Sequence, residues 1–358
     1  MAYNGNKFYN GHELLKTGSE WLACIGRRTN GKSFWWLQFC VEECLEKGRQ
    51  FGYVRRNDND IRKAKVNRYF TDANFCKWLK KTYDYDGICY DCEDLYFFKY
   101  DENGKMKKFA KFGSCFAVSV AVKYKSLHYD DIGNIMFEEF ITDSGYLENE
   151  WDDFNSIVST VFRNKKARVI LIGNTINRAC PYFREMGVDI MRLEMGTIST
   201  IKHTQENGNH VCLSVEYCDD STEKSGMFWG KAEKSINKGA WDTRSYPHLF
   251  FKLNDKDAEK IYKCFYIESD FCFQINIYVF KDRKYLYIYP YDAERLEYND
   301  RDDIFLREFS TKDNIFNGPW RKRHKRIWEF FEREKVLYSD DLCGTEFNDC
   351  LDRFNPFI

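Results

Sequence analysis

The chain has 358 residues, 43% of them hydrophobic, so we expect two domains or one large domain with an appendage. Lysines and arginines (55) nearly balance aspartates and glutamates (56), so any contact with nucleic acid must come from local basic patches. No apolar run approaches the length of a membrane span, and the N-terminus lacks the apolar core of a signal peptide. The 14 scattered cysteines are therefore expected to be reduced thiols of a cytosolic protein.

Strand and helix patterns alternate along the first part of the chain. Short apolar runs predict strands at 21–25, 51–55, 116–122, 132–137 and 168–172. Helical spacing of apolar residues predicts helices at 33–47 and 147–162. This alternation is typical of an α/β domain with a mainly parallel sheet that is covered on both faces.

The character of the sequence changes after residue 202. Glycine, asparagine, serine and charged residues dominate 203–247, which we interpret as a small linker domain. Beyond it, long β-rich segments are predicted at 262–274 and 275–291, with a turn at 281–284, and helices at 319–335 and 345–354. The predicted domains are therefore 1–202, 203–247 and 248–358.

A phosphate-binding motif lies between the first predicted strand and the first predicted helix. Gly26, Gly31, Lys32 and Ser33 satisfy GxxxxGK[ST], and the motif requires this strand–loop–helix context. The loop N–H groups and the helix N-terminus favour an anion. Lys32 would reach the β- and γ-phosphates and Ser33 would ligate Mg²⁺. We therefore predict a site for a nucleotide and Mg²⁺, whose loop also includes Thr29 and Asn30.

Two adjacent acids follow the strand at 132–137. The first acid at such a position holds Mg²⁺, directly or through water, and the second polarises the attacking water as general base. Glu138 stands where aspartate is usual, so its metal contact is left open between direct and water-mediated, and Glu139 is the predicted base. ATPases with this second acid carry an extra strand between the two motifs, for which 116–122 is the candidate. A guanine-specific NKxD motif is absent, which favours ATP.

Further polar residues stand at the ends of predicted elements. Asn174 ends the strand at 168–172 and is a candidate sensor of the γ-phosphate, with an ordinary strand-end turn as the alternative. Arg163 ends the helix at 147–162, where an arginine is usually only solvated, and Lys125 precedes the strand at 132–137. Arg55 and Arg56 follow the second strand, and their pattern leaves open whether they face a nucleotide or bind nothing.

Six short blocks carry a resemblance to a known family. They are YNGHELL at 9–15, IGRRTNGKSF at 25–34, QFGYVRR at 50–56, YKSLHYDDIGNIMFEEFI at 124–141, TVFRN at 160–164 and LIGNTINRACPYF at 171–183. In this order the blocks resemble the genome-packaging ATPases of phi29-type tailed bacteriophages, which are relatives of large terminase subunits. The resemblance covers most of the chain and is strongest before residue 200. It implies a P-loop ATPase domain of the ASCE type.

The resemblance also implies roles for individual residues. Arg28 looks like the loop arginine that terminase-like motors place near the phosphates, while Arg27 has no matching role and is interpreted as a solvated neighbour or a salt-bridge partner. Arg163 matches the arginine that such rings insert into the neighbouring subunit's site. Lys125 matches a second basic residue that acts in trans. Asn174 matches the motif that couples hydrolysis to movement.

For residues 248–358 the resemblance implies an RNase H-like α+β domain that binds nucleic acid and has lost its nuclease metal ligands. The segment at 271–292 fits the first strands of such a domain. Candidate metal-binding acids show no convincing triad in their spacing; they are Glu268, Asp270, Asp292, Asp340, Asp341 and Asp349. A basic run begins the helix at 319–335, and phosphate contact and a solvated face are equally compatible with it; it comprises Arg321, Lys322, Arg323, Lys325 and Arg326.

The resulting hypothesis is an ATP-hydrolysing ring, five subunits by resemblance, that moves double-stranded DNA into a preformed phage prohead. It would act in the host cytoplasm, transiently docked at the portal vertex, with or without a packaging RNA and without a membrane. Three alternatives stay open: a helicase-like DNA translocase, a complete terminase with an active nuclease domain, and a non-catalytic nucleotide-binding scaffold.

Overall fold

The computed structural model describes residues 8–125, 127–142, 145–163, 165, 167–218, 241, 244–249, 253, 258–268, 271–280, 282–295, 303–306 and 320–353. The chain divides into two compact units. The first comprises Met1–Ile176, Glu185–Val188 and Arg192–Ala240, and the second comprises Asn177–Arg184, Asp189–Met191 and Trp241–Ile358.

A mixed sheet of nine strands forms the centre of the first unit within the described residues. Its strands are β1 (Trp21–Gly26), β2 (Gln50–Arg55), β3 (Gly87–Asp91), β4 (Asp94–Tyr100), β5 (Met106–Ala117), β6 (Ile132–Glu138), β7 (Arg168–Asn174), β8 (Thr197–Thr204) and β9 (His210–Tyr217). The order is β3-β4-β5-β2-β6-β7-β1-β9-β8. Neighbours from β5 through β9 run parallel, whereas β3, β4 and β8 are antiparallel additions at the two sides.

The helices that accompany this sheet follow from local signals. They are α1 (His12–Lys16), α2 (Lys32–Lys47), α3 (Lys63–Phe70), α4 (Ala73–Tyr83) and α5 (Glu150–Phe162), with 3₁₀ helices at Asp58–Asp60 and Val118–Tyr124. Gly48 ends α2 in the left-handed region, at φ 68°, as glycine does at helix ends. Asp72 caps α4 by accepting from the N–H groups of Asn74 and Phe75. Trp36, Cys40 and other apolar side chains of α2 are buried in the core of this unit.

The predicted strands at 21–25, 51–55, 132–137 and 168–172 and both predicted helices are confirmed, with ends that differ by at most three residues. The strand predicted at 116–122 is wrong. Strand β5 ends at Ala117 because its ladder with β2 ends at Arg55, and the chain then turns into the 3₁₀ helix at Val118–Tyr124. The strand that separates β1 from β6 in the sheet is β7.

The linker domain predicted at 203–247 is wrong in its described part. Strands β8 and β9 form a hairpin, and β9 pairs in parallel with β1. Of the residues that suggested a linker, Asn207, Gly208 and Asn209 belong to the hairpin turn, where Gly208 has φ 79°. Leu213 and Val215 of β9 are buried, an alternation too short to stand out in the sequence. Residues 219–240 lie outside the described part of the chain.

The second unit contains a five-stranded sheet in its described residues. Its strands are β10 (Glu259–Glu268), β11 (Phe271–Phe280), β12 (Arg283–Pro290), β13 (Asp303–Leu306) and β14 (Val336–Tyr338), in the order β13-β10-β11-β12-β14. The remaining α-helices in the described residues are α6 (Pro181–Glu185), α7 (Trp320–Glu332) and α8 (Asp341–Arg353). Both predicted C-terminal helices are confirmed, whereas the two predicted β segments form three strands. The RNase H-like assignment of this unit stays a prediction.

The apolar core of the second unit joins the strands of its sheet to its two C-terminal helices. Phe273 and Ile288 are buried on the sheet, and Ile327 of α7 and Phe347 of α8 are buried in the same cluster. Within the described residues, no helix combines the length and the apolar character needed to cross a bilayer.

Candidate functional site

The C-terminal ends of three adjacent parallel strands bring the predicted site residues of the first unit together. Strands β6, β7 and β1 are neighbours, and they end at Glu138, Asn174 and Gly26. In register, Asn174 stands opposite Gly26, and Glu138 stands opposite Ile172. Ligands of parallel α/β sheets bind beyond this edge of the strands. Motifs that are far apart in the sequence thus lie at the ends of adjacent strands.

The loop between β1 and α2 adopts the curled form that a phosphate cradle requires. Thr29 has φ 60° and Gly31 has φ 95°, so the loop passes twice through the left-handed region before α2 begins at Lys32. Glycine makes this conformation accessible at Gly31. At Gly26, a Cβ atom would lie 2.9 Å from Cβ of Cys218, so a side chain would not fit there without rearrangement.

Lys32 is held inside this loop. Its side chain is buried, and Nζ donates to Arg27 O at 2.6 Å, Asn30 Oδ1 at 3.1 Å and Asn174 Oδ1 at 3.4 Å. The amide nitrogen Nδ2 of Asn30 is buried without a hydrogen-bond partner, an arrangement that costs about 1–3 kcal/mol. A phosphate oxygen is an acceptor that could satisfy this donor, so the loop fits a phosphate ligand.

The two loop arginines differ in exposure. Arg27 is buried, at 1% exposure, so the interpretation of Arg27 as a solvated neighbour is wrong, and the salt-bridge role stays a prediction. Arg28 is exposed and therefore accessible from solvent, as its predicted role near the phosphates requires. The burial of Arg27 follows from its position directly after the buried strand β1, which the sequence pattern did not reveal.

The two acids after β6 lie in different environments. Glu138 is buried and accepts a hydrogen bond from Tyr53 Oη at 3.1 Å, whereas the Glu139 side chain is 57% exposed. Arg55 Nη2 donates to Glu139 Oε2 at 2.6 Å, and Arg55 Nη1 lies 3.8 Å from Glu138 Oε2. Burial lowers the pKa of Arg55, but Tyr53, Glu139 and Glu138 outweigh it, so the net shift is upward. Arg55 thus bridges both acids, a role that the sequence left open.

Ser33 and Glu138 are the predicted magnesium ligands. Ser33 is half-buried in the first turn of α2, which follows β1, and Glu138 ends β6, which β7 separates from β1. A hydroxyl and a carboxylate are hard oxygen donors of the kind that Mg²⁺ prefers. The donor chemistry therefore fits the ion.

Lys125 and Arg163 lie at the ends of two elements that pack together, the 3₁₀ helix at Val118–Tyr124 and α5. Both residues are exposed. Arg163 Nη2 donates to Leu127 O at 2.9 Å, and Nη1 lies 3.2 Å from His128 Nδ1. The structure therefore places the two predicted trans-acting residues on one surface. Both residues are far along the chain from the phosphate loop.

A half-buried polar pair beside the loop, Tyr9 and Glu216, was missed by the sequence analysis. Tyr9 donates from its backbone N–H to Asn30 O at 2.9 Å and from its hydroxyl to Glu216 Oε2 at 2.7 Å. Burial raises the pKa of Glu216. The thiols of Cys24 and Cys218 lie 3.4 Å apart beside it. Only the block at 9–15 signalled that the N-terminal segment belongs to the site.

The described candidate acids of the second unit form ion pairs and hydrogen bonds with neighbouring residues. Asp292 pairs with Arg295, Asp340 accepts from the N–H of Cys343, Asp341 accepts from the N–H of Tyr246, and Asp349 pairs with Arg244. Asp270 and the Glu268 side chain lie outside the described residues. The described acids do not gather into a group that could share a metal ion.

The basic run lies at the beginning of α7. Lys325 and Arg326 are exposed there, and this exposure is compatible both with phosphate contact and with a solvated face. The side chains of Arg321, Lys322 and Arg323 fall outside what the structure describes.

Comparisons with known proteins identify relatives and a shared fold. The DNA packaging protein of Bacillus phage phi29 is 29% identical to this chain over 180 residues, which cover 49% of each chain. The DNA packaging protein of Bacillus phage B103 is 29% identical over 170 residues, which cover 46% of this chain and 47% of the relative. The alignments thus span about half the length of these relatives. A structure of the Phi-28 gp11 DNA packaging motor covers 98% of both chains with a TM-score of 0.52 and 18% identity, which shows a shared fold.

A family model matches the N-terminal half of the chain. Residues 4–190, more than half of the 358, match the model described as Podovirus DNA encapsidation protein (Gp16). This range contains the phosphate loop, both acids, Asn174 and the two exposed basic residues of the site. The chain therefore belongs to the Podovirus DNA encapsidation protein (Gp16) family.

Proposed function

We propose that the chain hydrolyses ATP at the C-terminal edge of its parallel sheet and uses this reaction to package DNA. The observation that carries the proposal is the contact between Lys32 of the phosphate loop and Asn174 at the end of β7. The strand beside β7 ends at Glu138, which Glu139 follows. An encapsidation family requires a source of work, and a nucleotide site of this type supplies one.

Each residue of the proposed site has a distinct task. Lys32 and the loop N–H groups from Gly26 to Ser33 bind and orient the phosphates. Asn174 accepts from Lys32 and so senses whether the lysine is engaged by phosphate. Glu139 accepts a proton from the attacking water. Ser33 and Glu138 would hold Mg²⁺, which neutralises charge on the β- and γ-phosphate oxygens when bound.

Two further cations complete the proposed reaction from a neighbouring subunit. Arg163 and Lys125 are exposed on one surface of the first unit, as groups that act on another copy must be. An arginine supplied in trans contributes about 10³–10⁵ to the rate in comparable nucleotide hydrolases. Arg28, also exposed, acts in its own subunit near the phosphates.

The proposed work is translocation of double-stranded DNA into a preformed prohead. A ring, five subunits by resemblance, would grip the DNA phosphates with little sequence preference while docked at the portal vertex in the host cytoplasm. The related phage proteins are named DNA packaging proteins, and the structure that shares the fold is that of a packaging motor, which supports this assignment. The C-terminal unit, as a vestigial nuclease, would contact nucleic acid through the basic run of α7.

A packaging assay tests the proposal. Purified protein is combined with proheads, DNA and ATP, and DNA protected from nuclease is measured. We expect protection with the wild type and none with Lys32→Ala. Absence of packaging by the wild type, or equal packaging by both proteins, would remove the proposed function.

A mixing experiment tests the shared site. Glu139→Ala subunits lack the base, and Arg163→Ala subunits lack the arginine, so each alone should be nearly inactive. A mixture should recover ATPase activity because some interfaces then combine an intact base with an intact arginine. No recovery at any ratio, with ring assembly verified, would remove the trans assignment of Arg163.

A further inference from the structure

Arg56, which directly follows β2, occupies a buried position at the centre of several elements. The residue is 8% exposed, and its Nε donates to Glu150 Oε2 at 2.8 Å. Its guanidinium also faces the rings of Tyr146 and Phe137, at 5.0 and 5.7 Å from their centroids. A buried arginine held by a carboxylate and two aromatic rings has little freedom to move.

The two remaining nitrogens of Arg56 hold the backbone around the proposed base. Nη1 donates to Glu139 O at 3.1 Å, and Nη2 donates to Phe140 O at 2.8 Å. From the other side, the N–H groups of Glu139 and Phe140 both donate to Ile172 O, at 2.9 and 3.3 Å. The peptide units on both sides of Glu139 are therefore fixed by side-chain and main-chain partners.

The backbone of Glu139 needs such support. Its φ of 60° lies in the left-handed region, which residues other than glycine adopt uncommonly. Conformations of this kind persist where the surroundings hold them, and they occur often at functional sites. This conformation determines where the exposed Glu139 carboxylate can reach.

Arg56 also contacts the beginnings of the two elements that end at Lys125 and Arg163. Its partner Glu150 is the first residue of α5, which leads to Arg163. Its carbonyl oxygen accepts from the N–H of Ser119 at 2.9 Å, in the 3₁₀ helix that leads to Lys125. One residue thus joins the backbone of the proposed base to both elements that present the exposed cations.

We propose that Arg56 is a positioning residue for ATP hydrolysis, which holds the Glu139 peptide in its active conformation and fixes the elements that carry Lys125 and Arg163 relative to it. The inference rests on the proposed function of Glu139. Arg56 acts through the Glu139 backbone and through Glu150, and it has no direct role with the nucleotide. Loss of the hydrogen bonds from its guanidinium to Glu139 O and Phe140 O should therefore lower kcat and leave ATP binding intact.

The first test compares Arg56→Lys with Arg168→Lys. Arg168 makes an ion pair with a buried glutamate, Glu43, at 3.4 Å and faces the ring of Phe39, but it stands at the opposite end of the sheet. Arg56→Lys should lower kcat about ten- to a hundredfold, the range expected when a catalytic group is misplaced by about 1 Å. Its KM for ATP and its affinity for a fluorescent ATP analogue should change less than about twofold, and Arg168→Lys should leave all three unchanged within that margin.

Thermal unfolding of both variants distinguishes a loss of catalytic positioning from a loss of stability. If Arg56→Lys lowers Tm as Arg168→Lys does but retains wild-type kcat, Arg56 is merely structural and the inference is wrong. Glu150→Gln is a milder variant in case Arg56→Lys does not fold, because an amide oxygen can still accept from Arg56. We expect it to lower kcat about three- to tenfold, consistent with the loss of the charge from one hydrogen bond; wild-type kcat in this variant would also overturn the inference.

The second test measures the link to Arg163. In the mixture with Arg163→Ala subunits, Glu139→Ala subunits serve only as arginine donors. Adding Arg56→Lys to the donor should reduce the recovered activity, because α5 is then no longer fixed at Glu150. Equal recovery with both donors would overturn this link. A wild-type chain without ATPase activity would instead remove the proposed function itself, so the two failures are distinguishable.

Discussion

The two ends of the parallel strands in the first unit both contain a buried glutamate together with lysine and arginine, but they balance charge differently. At the N-terminal ends, the buried Glu43 pairs with Lys47, Arg49 and Arg168, so one carboxylate is neutralised by three cations of the same unit. At the C-terminal ends, the ammonium group of Lys32 donates to three neutral oxygens, and Glu138 and Glu139 share Arg55.

This difference distinguishes two networks of charged groups. The network around Glu43 stabilises the fold, and in the proposed function the network at the C-terminal ends binds a ligand. A buried charge is stabilised best by a paired opposite charge, which Glu43 has. The hydrogen bonds described for Lys32 go to neutral oxygens, so its ammonium group can donate to an anion such as phosphate. The same residue types thus serve structure at one end of the sheet and, in the proposed function, catalysis at the other.

The pKa shifts of two glutamates, Glu43 and Glu216, differ in sign between the two ends. Burial raises the pKa of Glu43, but hydrogen bonds from Lys47 and Arg49 outweigh it, and the pKa lies below the ordinary 4.5. At the other end, burial raises the pKa of Glu216 above 4.5 despite the hydrogen bond from Tyr9.

The largest effect is expected at the proposed base. Glu139→Gln keeps the size of the side chain but removes its ability to accept a proton, so kcat should fall about 10³-fold, within the usual contribution of a general base. Steady-state ATP hydrolysis measures this. Glu148→Gln, at an exposed glutamate nearby, is the control and should change kcat less than about twofold. A Glu139→Gln variant with wild-type kcat would show that the base lies elsewhere.

A smaller loss is expected at Asn174. Asn174→Ala removes the acceptor that contacts Lys32 at 3.4 Å, and kcat should fall about ten- to a hundredfold, as expected for a hydrogen bond to a charged group. Asn155→Ala removes a comparable single amide contact, to Trp151 O in α5, and should leave kcat within about twofold of wild type. Equal kcat values for the two variants would place Asn174 among ordinary strand-end residues.

At the opposite end of the sheet, stability should change and activity should not. Glu43→Gln leaves the surrounding cations without their carboxylate, and the free energy of unfolding should fall by about 1–3 kcal/mol. Because the folded pKa of Glu43 is lowered, its stabilisation is complete above pH 4.5 and is lost as the pH falls through the folded pKa. Thermal unfolding across this range should show the loss in the wild type but not in the variant. A large loss of kcat in the folded variant would break the distinction between the two ends.

The smallest effect is a pH dependence of opposite sign at Glu216. Its raised folded pKa means that the wild type loses stability as the pH rises from 4.5 through the folded value. Glu216→Gln removes this titration, so the Tm of the variant minus that of the wild type should increase over the same interval. A difference that stays flat or decreases would contradict the assigned environment of Glu216.

The sequence predicted the elements that depend on local signals and missed those that depend on pairing. The phosphate loop, the helix at 33–47 and the acids after β6 follow from spacing and composition, and the structure places them together. Strand β9 was taken for linker because its ladder partner, β1, lies far away in the chain. The roles of Arg55 and Arg56 could not be predicted either, because their partners Glu139 and Glu150 come from β6 and α5.

The most direct test of the central claim compares the two lysines of α2. Lys32 begins this helix within the phosphate loop, and Lys47 ends it in the ion-pair network of Glu43. In an ATPase assay with ring assembly verified, Lys32→Ala should lower kcat/KM about 10³-fold, as loss of a phosphate-stabilising group does, whereas Lys47→Ala should stay within about twofold of wild type. Equal ATPase activity of the two variants would contradict the assignment of the C-terminal strand ends as the site of ATP hydrolysis.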